Sequence, residues 1–310
     1  MKINQTSPLE SEFTEVLSAM ALKPKTLYYY GKMPENVPFV AFPGDKPRKR
    51  LKMRPKTVAI VGSRKNTAYG EEVAYRAAYE LARLGIVIVS GLAIGIDSIA
   101  HRGALDAGGL TVAVLGTRIT KIYPAEHEWL AEKIVEKGGA VMSEYEADDI
   151  GGQGETGGVR FLYRNRLIAG LADVVLVVEA AERSGSLNTA SHALDQGKDV
   201  FAVPGGLGQI ESEGCNNLIA AGAQVYRRPE DILTALFPAY TPRRKKPKLA
   251  GFMGSPAEKA ILEQITSGVR EGEEIMARAK VDVAEYNRAM TMLEIKGIVR
   301  SLGVNKWTLR

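Results

Sequence analysis

An aromatic residue, a basic-polar-basic triplet and an apolar stretch occur together in residues 161–171. Phe161 is followed by Arg164, Asn165 and Arg166, just ahead of the strand-like run Val174–Val178. Guanidinium groups are planar forks that pair with phosphate in bidentate fashion, and an aromatic ring is a surface on which a nucleic-acid base can stack. The alternative interpretation is an ordinary helix start whose arginines face solvent.

Donor-rich turns follow several predicted strands. Gly62-Ser-Arg64 follows Val58–Val61, Gly91 follows Ile86–Val89, and Ser184-Gly-Ser186 comes shortly after Val178. Backbone N–H groups and hydroxyls at such turns bind anions, and the carboxyl ends of parallel strands meet at one edge of a sheet. We therefore expect one shared site. Its candidate binding residues are Ser63, Arg64, Gly91, Phe161, Arg164, Asn165, Arg166, Ser184, Ser186 and Asn216.

Three polar residues near these turns have two interpretations. Asn216 could bond a base edge or hold its own loop. Asp97 is placed to cap the following helix, and this is its favoured role. His101, four residues later, is interpreted as a packed or capping residue.

The sequence has no motif set for a reaction. There is no supported Ser/His/Asp order, no metal-ligand set, and neither a dinucleotide fingerprint nor a P-loop lysine pattern. Glu144 and Glu179 are the best candidates if hydrolysis occurs. The single cysteine, Cys215, is interpreted as a small buried residue. We expect no catalytic residue, no metal and no cofactor.

The net charge of +5 is concentrated in two segments. Residues 45–56 carry +6 and residues 241–249 carry +5, so the rest of the chain sums to −6. Any anion-binding surface on the folded body must therefore be local. The chain has no apolar run of membrane-spanning length and no signal-peptide pattern at its N-terminus, so we expect a soluble cytoplasmic protein without membrane contact.

Short Val/Ile runs alternate with helical segments from residue 57 to 236, which predicts an α/β fold with a doubly wound parallel sheet. We expect a short N-terminal segment at 1–44 with a helix at 9–20, the main domain with its basic lead-in at 45–240, a basic linker at 241–254, and a small domain at 255–310.

The tail at 255–310 reads as three helices and a hairpin, the pattern of a winged-helix domain. It has nine Lys/Arg and eight Asp/Glu, and Arg288 is the one basic residue of its third helix. Because helices that read a major groove usually carry more positive charge, protein contact or regulation is favoured over DNA reading.

These motifs resemble the DNA-processing protein A family (DprA, also called Smf). The resemblance spans about residues 57–236. It runs through Gly62-Ser-Arg64, Ser90-Gly-Leu-Ala-Ile-Gly-Ile-Asp97, Ala100-His101, Phe161 to Leu171, Ser184 to Ala190, Pro204-Gly205 and Gly214-Cys-Asn-Asn-Leu-Ile219.

The resemblance implies an extended Rossmann-like domain that binds single-stranded DNA and is not an enzyme. It implies a homodimer that protects incoming DNA and loads the RecA recombinase during natural transformation. By position, it places Ser63, Arg64, Gly91, Phe161, Arg164 and Arg166 in the strand-binding pocket.

Two other functions remain open from the sequence. One is a nucleotide-processing enzyme of the phosphoribohydrolase type, suggested by Pro204-Gly-Gly-Leu-Gly208, although Gln209 and Ser212 replace the Thr and Glu of that motif. The other is a nucleotide sensor that signals through the tail.

Overall fold

A computed structural model describes residues 2–35, 37, 54–146, 148, 157–238, 240 and 252–309. The chain divides into two compact units, Met1–Tyr240 and Thr241–Arg310. The predicted apolar segment at 39–42 and most of the two basic segments lie outside the described residues.

Within the described residues, nine strands of the first unit form one sheet in the order β1-β2-β6-β5-β4-β3-β7-β8-β9. The strands from β3 to β9 run parallel, whereas β1 and β2 are antiparallel to their neighbours. The strands are β1 (Asn4–Thr6), β2 (Leu27–Gly31), β3 (Thr57–Val61), β4 (Val87–Ser90), β5 (Thr111–Leu115), β6 (Ala140–Ser143), β7 (Val174–Val177), β8 (Asp199–Ala202) and β9 (Gln224–Val225).

Helices cover both faces of this sheet, which is why its central strands are buried on both sides. One face carries α1 (Ala68–Arg83), α2 (Ile96–Asp106), α3 (Glu128–Glu136) and α7 (Pro229–Leu236). The other carries α4 (Gly157–Leu171), α5 (Gly185–Asp195) and α6 (Ile210–Ala220). The doubly wound parallel sheet is as predicted.

The strand order reverses beside β3. The chain runs outward from β3 through β4 and β5 to β6, then returns to place β7 on the other side of β3. Loops that leave β3 and β7 at their carboxyl ends therefore diverge, and a crevice opens between them. In open α/β sheets this is where ligands bind.

The N-terminal residues belong to the main sheet, which differs from the separate segment predicted. Two 3₁₀-helices, Pro8–Glu10 and Glu15–Ala19, replace the expected helix at 9–20. The Thr14 hydroxyl donates to the carbonyl oxygen of Pro8 at 3.2 Å, a local bond that competes with a continuous helix. Leu17 is buried in the core that also contains residues of α4.

Helix α6 was also missed, because Gly214, Asn216 and Asn217 weaken the helical signal in this segment. The sequence also predicts helices at 69–84, 96–107, 126–137 and 187–195, and the structure has them as α1, α2, α3 and α5 with ends shifted by at most two residues.

The described residues of the second unit form three helices and a hairpin, the element order predicted for residues 255–310. These are α8 (Pro256–Ser267), α9 (Gly272–Ala279), α10 (Val283–Ile295) and the antiparallel pair β10 (Val299–Gly303) and β11 (Lys306–Leu309). Ile261, Leu262 and Leu293 are fully buried in its own core. Across the part of the chain that is described, no helix has the length and apolar character needed to span a membrane.

The carboxyl end of α4 is closed by a lysine from the turn before β8. The Lys198 ammonium donates to the carbonyl oxygens of Ala169 and Ala172, both at 2.7 Å, and to that of Gly170. The Ala169 carbonyl oxygen also accepts from the Ala172 amide at 3.2 Å, but the last turn of a helix leaves carbonyls without an i+4 donor, and a cation suits the negative end of the helix. Lys198 therefore fixes where α4 ends.

Replacing Lys198 with methionine should lower the free energy of unfolding by about 1–3 kcal/mol, because the partly buried carbonyls lose their donor. Urea denaturation followed by circular dichroism measures this. The matched control is Lys133→Met, since Lys133 is exposed on α3 and its ammonium has no hydrogen-bond or ion-pair partner among the described residues. Equal stability of the two variants would contradict the role given to Lys198.

Candidate functional site

A cleft of about 800 Å³ lies at the carboxyl edge of the sheet, at the reversal between β3 and β7. Loops after β3, β4, β5 and β7 form it, together with one side of α4 and the first turns of α5 and α6. Of the ten candidate residues, the cleft contains seven: Ser63, Arg64, Phe161, Arg164, Asn165, Ser184 and Ser186.

The turn after β3 holds two cations at the cleft. The Ser63 amide donates to the Glu179 carbonyl oxygen at 2.7 Å, and the Ser63 hydroxyl accepts from the Lys65 amide at 3.0 Å. Ser63 is buried by these contacts, whereas Arg64 and Lys65 are exposed. The contacts at the end of β3 thus fix the backbone of the turn, and the charged side chains of Arg64 and Lys65 lie in the cleft.

The aromatic part of the cleft comes from Phe161 at the first turns of α4. The Tyr123 ring lies 5.3 Å away between centroids and is tilted by 39°. The Arg64 guanidinium carbon lies 5.6 Å from the Phe161 centroid, within the range of a cation–π contact. Two rings and a cation therefore stand together at one place.

Arg164 is buried at the base of the cleft. Its Nη1 donates to the carbonyl oxygens of Val114 and, at 3.0 Å, of Gly91, and its Nε donates to Asn165 Oδ1 at 3.3 Å. Burial lowers the pKa of Arg164 to about 10, and the nearby Asp97 carboxylate opposes this shift. Arg164 therefore supplies positive charge from a fixed position, and its hydrogen bonds go to acceptors of the protein itself.

Asp97 differs from its predicted role as a helix cap. It lies in the first turn of α2, whose N-cap is Gly95, and its Oδ2 accepts from the Gly91 amide at 3.0 Å. Burial raises the pKa of Asp97, and Arg164 and the Gly91 amide counter that rise. Gly91 itself does not line the cleft; it lies between Asp97 and Arg164.

His101 is packed, as expected from the sequence. It is fully buried, and its Nδ1 lies 2.7 Å from the Thr111 hydroxyl oxygen. Burial lowers the pKa of His101 to about 3.

Four cations at the cleft have no acid partner within 4 Å among the described residues: Arg64, Lys65, Lys121 and Arg183. All four are exposed. Unpaired cations in a concave site focus a positive field into it, so the cleft suits an anion.

Arg166, which the sequence also predicts for the pocket, does not line this cleft. Its Nη2 donates to both Glu144 carboxylate oxygens, at 2.7 and 2.6 Å, and its guanidinium carbon lies 4.1 Å from the Tyr163 ring centroid. The residue is 2% exposed. A guanidinium already paired with a carboxylate and shielded by a ring is not available to a phosphate, so Arg166 holds the structure of α4.

Asn216 is likewise outside the cleft. Its side chain donates to the Gly205 carbonyl oxygen and accepts from the Gly205 amide, both at 3.2 Å. Of the two roles left open by the sequence, the structure shows the one that holds the loop.

The residues considered for hydrolysis are engaged in bonds of their own. Glu144 pairs with Arg166, and Glu179 accepts from the Thr67 amide at 2.8 Å and hydroxyl at 2.6 Å. Cys215 is buried, and burial raises the pKa of its thiol to about 12, so it is not a nucleophile. Within the described ranges, no group of three His, Cys, Asp or Glu side chains could hold a metal ion.

Sequence reasoning missed five charged or aromatic residues of the cleft: Lys65, Lys121, Tyr123, Arg183 and Glu211. Lys65 directly follows Gly62-Ser-Arg64, and Arg183 directly precedes Ser184-Gly-Ser186. Their positive charge beside these turns could have identified them as binding residues. Lys121 and Tyr123 come from the long loop after β5, which has no motif, and Glu211 comes from the unpredicted helix α6.

Gly91→Ala should disrupt the base of the cleft. A Cβ there would lie 2.6 Å from both Arg164 Nη2 and Asp97 Oδ2, so two buried charged groups would have to move. We expect a loss of about 1–3 kcal/mol in the free energy of unfolding, measured by chemical denaturation. Gly185→Ala is the matched control, because its Cβ would meet only Leu162 at 3.7 Å at the start of α5. An unchanged Gly91 variant would show that this spacing is not required.

Comparisons with known proteins agree with this architecture. The chain is 46% identical to Protein Smf of Escherichia coli over 179 residues, which cover 58% of this chain and 46% of that protein. It thus spans about half the length of that relative. It also resembles the X-ray structure of DNA processing protein A from Streptococcus pneumoniae, with 36% identity, a TM-score of 0.61, and coverage of 76% of this chain and 74% of that one.

A third relative is DNA processing protein A from Helicobacter pylori, whose structure was described for its single-stranded DNA binding mode. The identity is 30%, the TM-score is 0.61, and the match covers 78% of this chain and 98% of that one. The family model for DNA recombination-mediator protein A matches residues 4–237, which is most of the first unit and of the whole chain. The chain therefore belongs to the DNA recombination-mediator protein A family, the DprA/Smf family.

Proposed function

We propose that the cleft binds single-stranded DNA without strong sequence preference. The observation that carries this proposal is the group of four cleft cations that have no acid partner among the described residues, one of which, Arg64, lies over the Phe161 ring, at the reversal of the strand order. Exposed cations neutralise phosphates, and a ring stacks on any base. Arg64 and Lys65 serve the phosphates, Phe161 and Tyr123 serve the bases, and Ser184 and Ser186 add hydroxyl donors.

The geometry favours a single strand over a duplex. A base can stack on Phe161 only if it is not stacked and paired inside a double helix. Outside the two basic segments the chain is negative overall, so no general basic surface is available for duplex backbones. The DNA processing protein A of Helicobacter pylori, described as binding single-stranded DNA, supports the same conclusion.

The same proposal extends to the use of the bound strand. In this proposal the protein is a cytoplasmic homodimer and not an enzyme. It protects incoming DNA and loads the RecA recombinase onto it during natural transformation. The family's description as a recombination mediator supports this role. The near balance of charge in 255–310 supports a protein partner for the second unit.

A nucleotide-processing enzyme is the second candidate, because the loop Pro204-Gly-Gly-Leu-Gly208 resembles part of a phosphoribohydrolase motif. Against it, Glu144 and Glu179 are both engaged in hydrogen bonds that hold the fold. Incubation with nucleoside monophosphates, followed by chromatography, decides the point, since release of free base would support the enzyme.

Fluorescence anisotropy with a labelled oligonucleotide tests the main proposal. We expect the single strand to bind more tightly than the matching duplex, and both affinities to fall as salt rises, because phosphate contacts release counterions. The salt series should be run on both ligands. Preferential binding of the duplex would contradict the proposal.

Arg64→Ala should weaken single-strand binding and reduce the slope of log affinity against log salt by about one, as expected when one phosphate contact is lost. Arg76→Ala is the matched control, because Arg76 is exposed on α1 outside the cleft. Arg166→Ala separates two explanations: it should lower stability through Glu144 without the same change in salt slope. If Arg64→Ala and Arg76→Ala bind alike, the phosphate site is misplaced.

A further inference from the structure

Two neighbouring cations of the cleft belong to one short loop, residues 63–67, which we call the cation loop. Arg64 and Lys65 are exposed, line the cleft and have no acid partner within 4 Å among the described residues. Adjacent cations repel each other, so a loop that presents both needs a restraint on its backbone. A restraint at the ends of the loop leaves the two side chains free for a ligand.

The first end of the cation loop continues the ladder between β3 and β7. Val61 pairs with Val177 in that ladder, and the Val178 amide donates to the Val61 carbonyl oxygen at 3.0 Å. One step further, the Ser63 amide donates to the Glu179 carbonyl oxygen at 2.7 Å. The main chain of Glu179 therefore holds the loop at the point where it leaves the sheet.

The other end of the cation loop is held by the side chain of the same residue. Glu179 Oε2 accepts from the Thr67 amide at 2.8 Å, and Oε1 accepts from the Thr67 hydroxyl at 2.6 Å. Thr67 is also the N-cap of α1, so the carboxylate lies at the positive end of that helix. Because Glu179 is only 2% exposed, its carboxylate acts on the loop and not on a ligand.

Glycines on both sides of the cation loop make room for Glu179. A Cβ on Gly70, in the first turn of α1, would lie 2.1 Å from Glu179 Oε2, closer than real Cβ contacts come. A Cβ on Gly62, directly before the loop, would lie 2.9 Å from the Glu179 carbonyl oxygen. Both glycines therefore allow the close approach on which the two restraints depend.

A similar pair of residues lies at the opposite end of the same two strands. Asp173 Oδ2 accepts from the Thr57 amide at 2.8 Å and from the Thr57 hydroxyl at 2.9 Å. Thr57 begins β3, Asp173 directly precedes β7, and neither residue lines the cleft. The Glu179 pair, in contrast, holds a loop whose cations line the cleft, so the two pairs allow a matched comparison.

We propose that Glu179 is a positioning residue for phosphate binding: its carbonyl and carboxylate oxygens hold the two ends of the cation loop, so that Arg64 and Lys65 face the cleft. A loop that is already held loses less conformational freedom when a ligand binds, so the restraint raises affinity without adding a contact. The inference rests on the proposed binding of single-stranded DNA and assigns to it a residue that does not touch the strand.

Glu179→Gln tests the inference through the salt dependence of binding. Glutamine keeps the shape of the side chain but replaces one acceptor with an NH2 group, so the paired bonds to Thr67 are broken. We expect the slope of log affinity for labelled oligothymidylate against log salt to fall by about one to two, because two cations lose their place beside phosphates. The matched control, Asp173→Asn, changes the corresponding pair and should keep the parent slope. Equal slopes in the two variants would overturn the inference.

A second background separates positioning of the loop from support of the whole cleft. In Arg64→Ala/Lys65→Ala the loop has no cation left to position. Adding Glu179→Gln to this double variant should therefore change neither the remaining affinity nor the remaining salt slope. If Glu179→Gln weakens binding by the same factor in this background as in the parent, Glu179 does not act through the two cations and the inference fails.

Thr67→Val keeps the test available if Glu179→Gln does not fold. Valine has nearly the shape of threonine and lacks the hydroxyl that donates to Glu179 Oε1. We expect a lower salt slope in Thr67→Val and its restoration in Thr67→Ser, which keeps a hydroxyl. A parent slope in Thr67→Val would count against the role given to Glu179.

Amide hydrogen exchange of the free protein separates the inference from the function on which it rests. Peptides that cover residues 63–67 should exchange faster in Glu179→Gln than in the parent and in Asp173→Asn, because the loop opens more often. Unchanged exchange in Glu179→Gln would contradict the restraint itself. If exchange rises but the parent does not bind oligothymidylate, the proposed function fails and the phosphate-binding role with it. If the parent binds and Arg64→Ala lowers the slope while Glu179→Gln does not, only the inference fails.

Discussion

The burial of one positive charge, that of Arg164, constrains the whole cleft. A guanidinium taken out of water must find acceptors, and Arg164 finds them in the carbonyl oxygens of Gly91 and Val114, at the ends of β4 and β5. These bonds fix α4 across the carboxyl edge of the sheet. Phe161, one turn earlier, is then held at the cleft, and its ring centroid lies 6.0 Å from the Arg164 guanidinium carbon.

The hydrogen-bond acceptors that surround each arginine determine its role in this structure. Arg164 and Arg166 are two residues apart on α4, so they point about 200° apart around the helix and cannot both line one cleft. Arg166 pairs with Glu144 on the other side. Arg64 has no carboxylate within 4 Å among the described residues and stays available. The three arginines thus have different roles. Arg164 fixes α4, Arg166 holds the far side of that helix, and Arg64 faces the open cleft.

The sequence predicted the elements whose signal is local. The sequence predicts strands at 111–115 and 140–143 and a helix at 283–295, and the structure has all three with these bounds, because Val/Ile runs and helical periodicity need no distant partner. It did not predict β1 (Asn4–Thr6), a polar edge strand that exists only by pairing with β2. Lys121 and Tyr123 reach the cleft through the fold of a long loop, which no local pattern encodes.

The charges of the cleft also determine where the backbone of the proposed single strand would lie. Arg64 and Lys65 repel each other and gain most when phosphates lie between them, which makes binding sensitive to salt. Glu211 also lines the cleft, and its carboxylate disfavours phosphate near it. A strand bound as proposed would therefore place its backbone along the turn after β3 and its bases toward Phe161 and Tyr123. Cations on one loop with rings beside them thus turn a general attraction for polyanions into a preferred direction across the sheet edge.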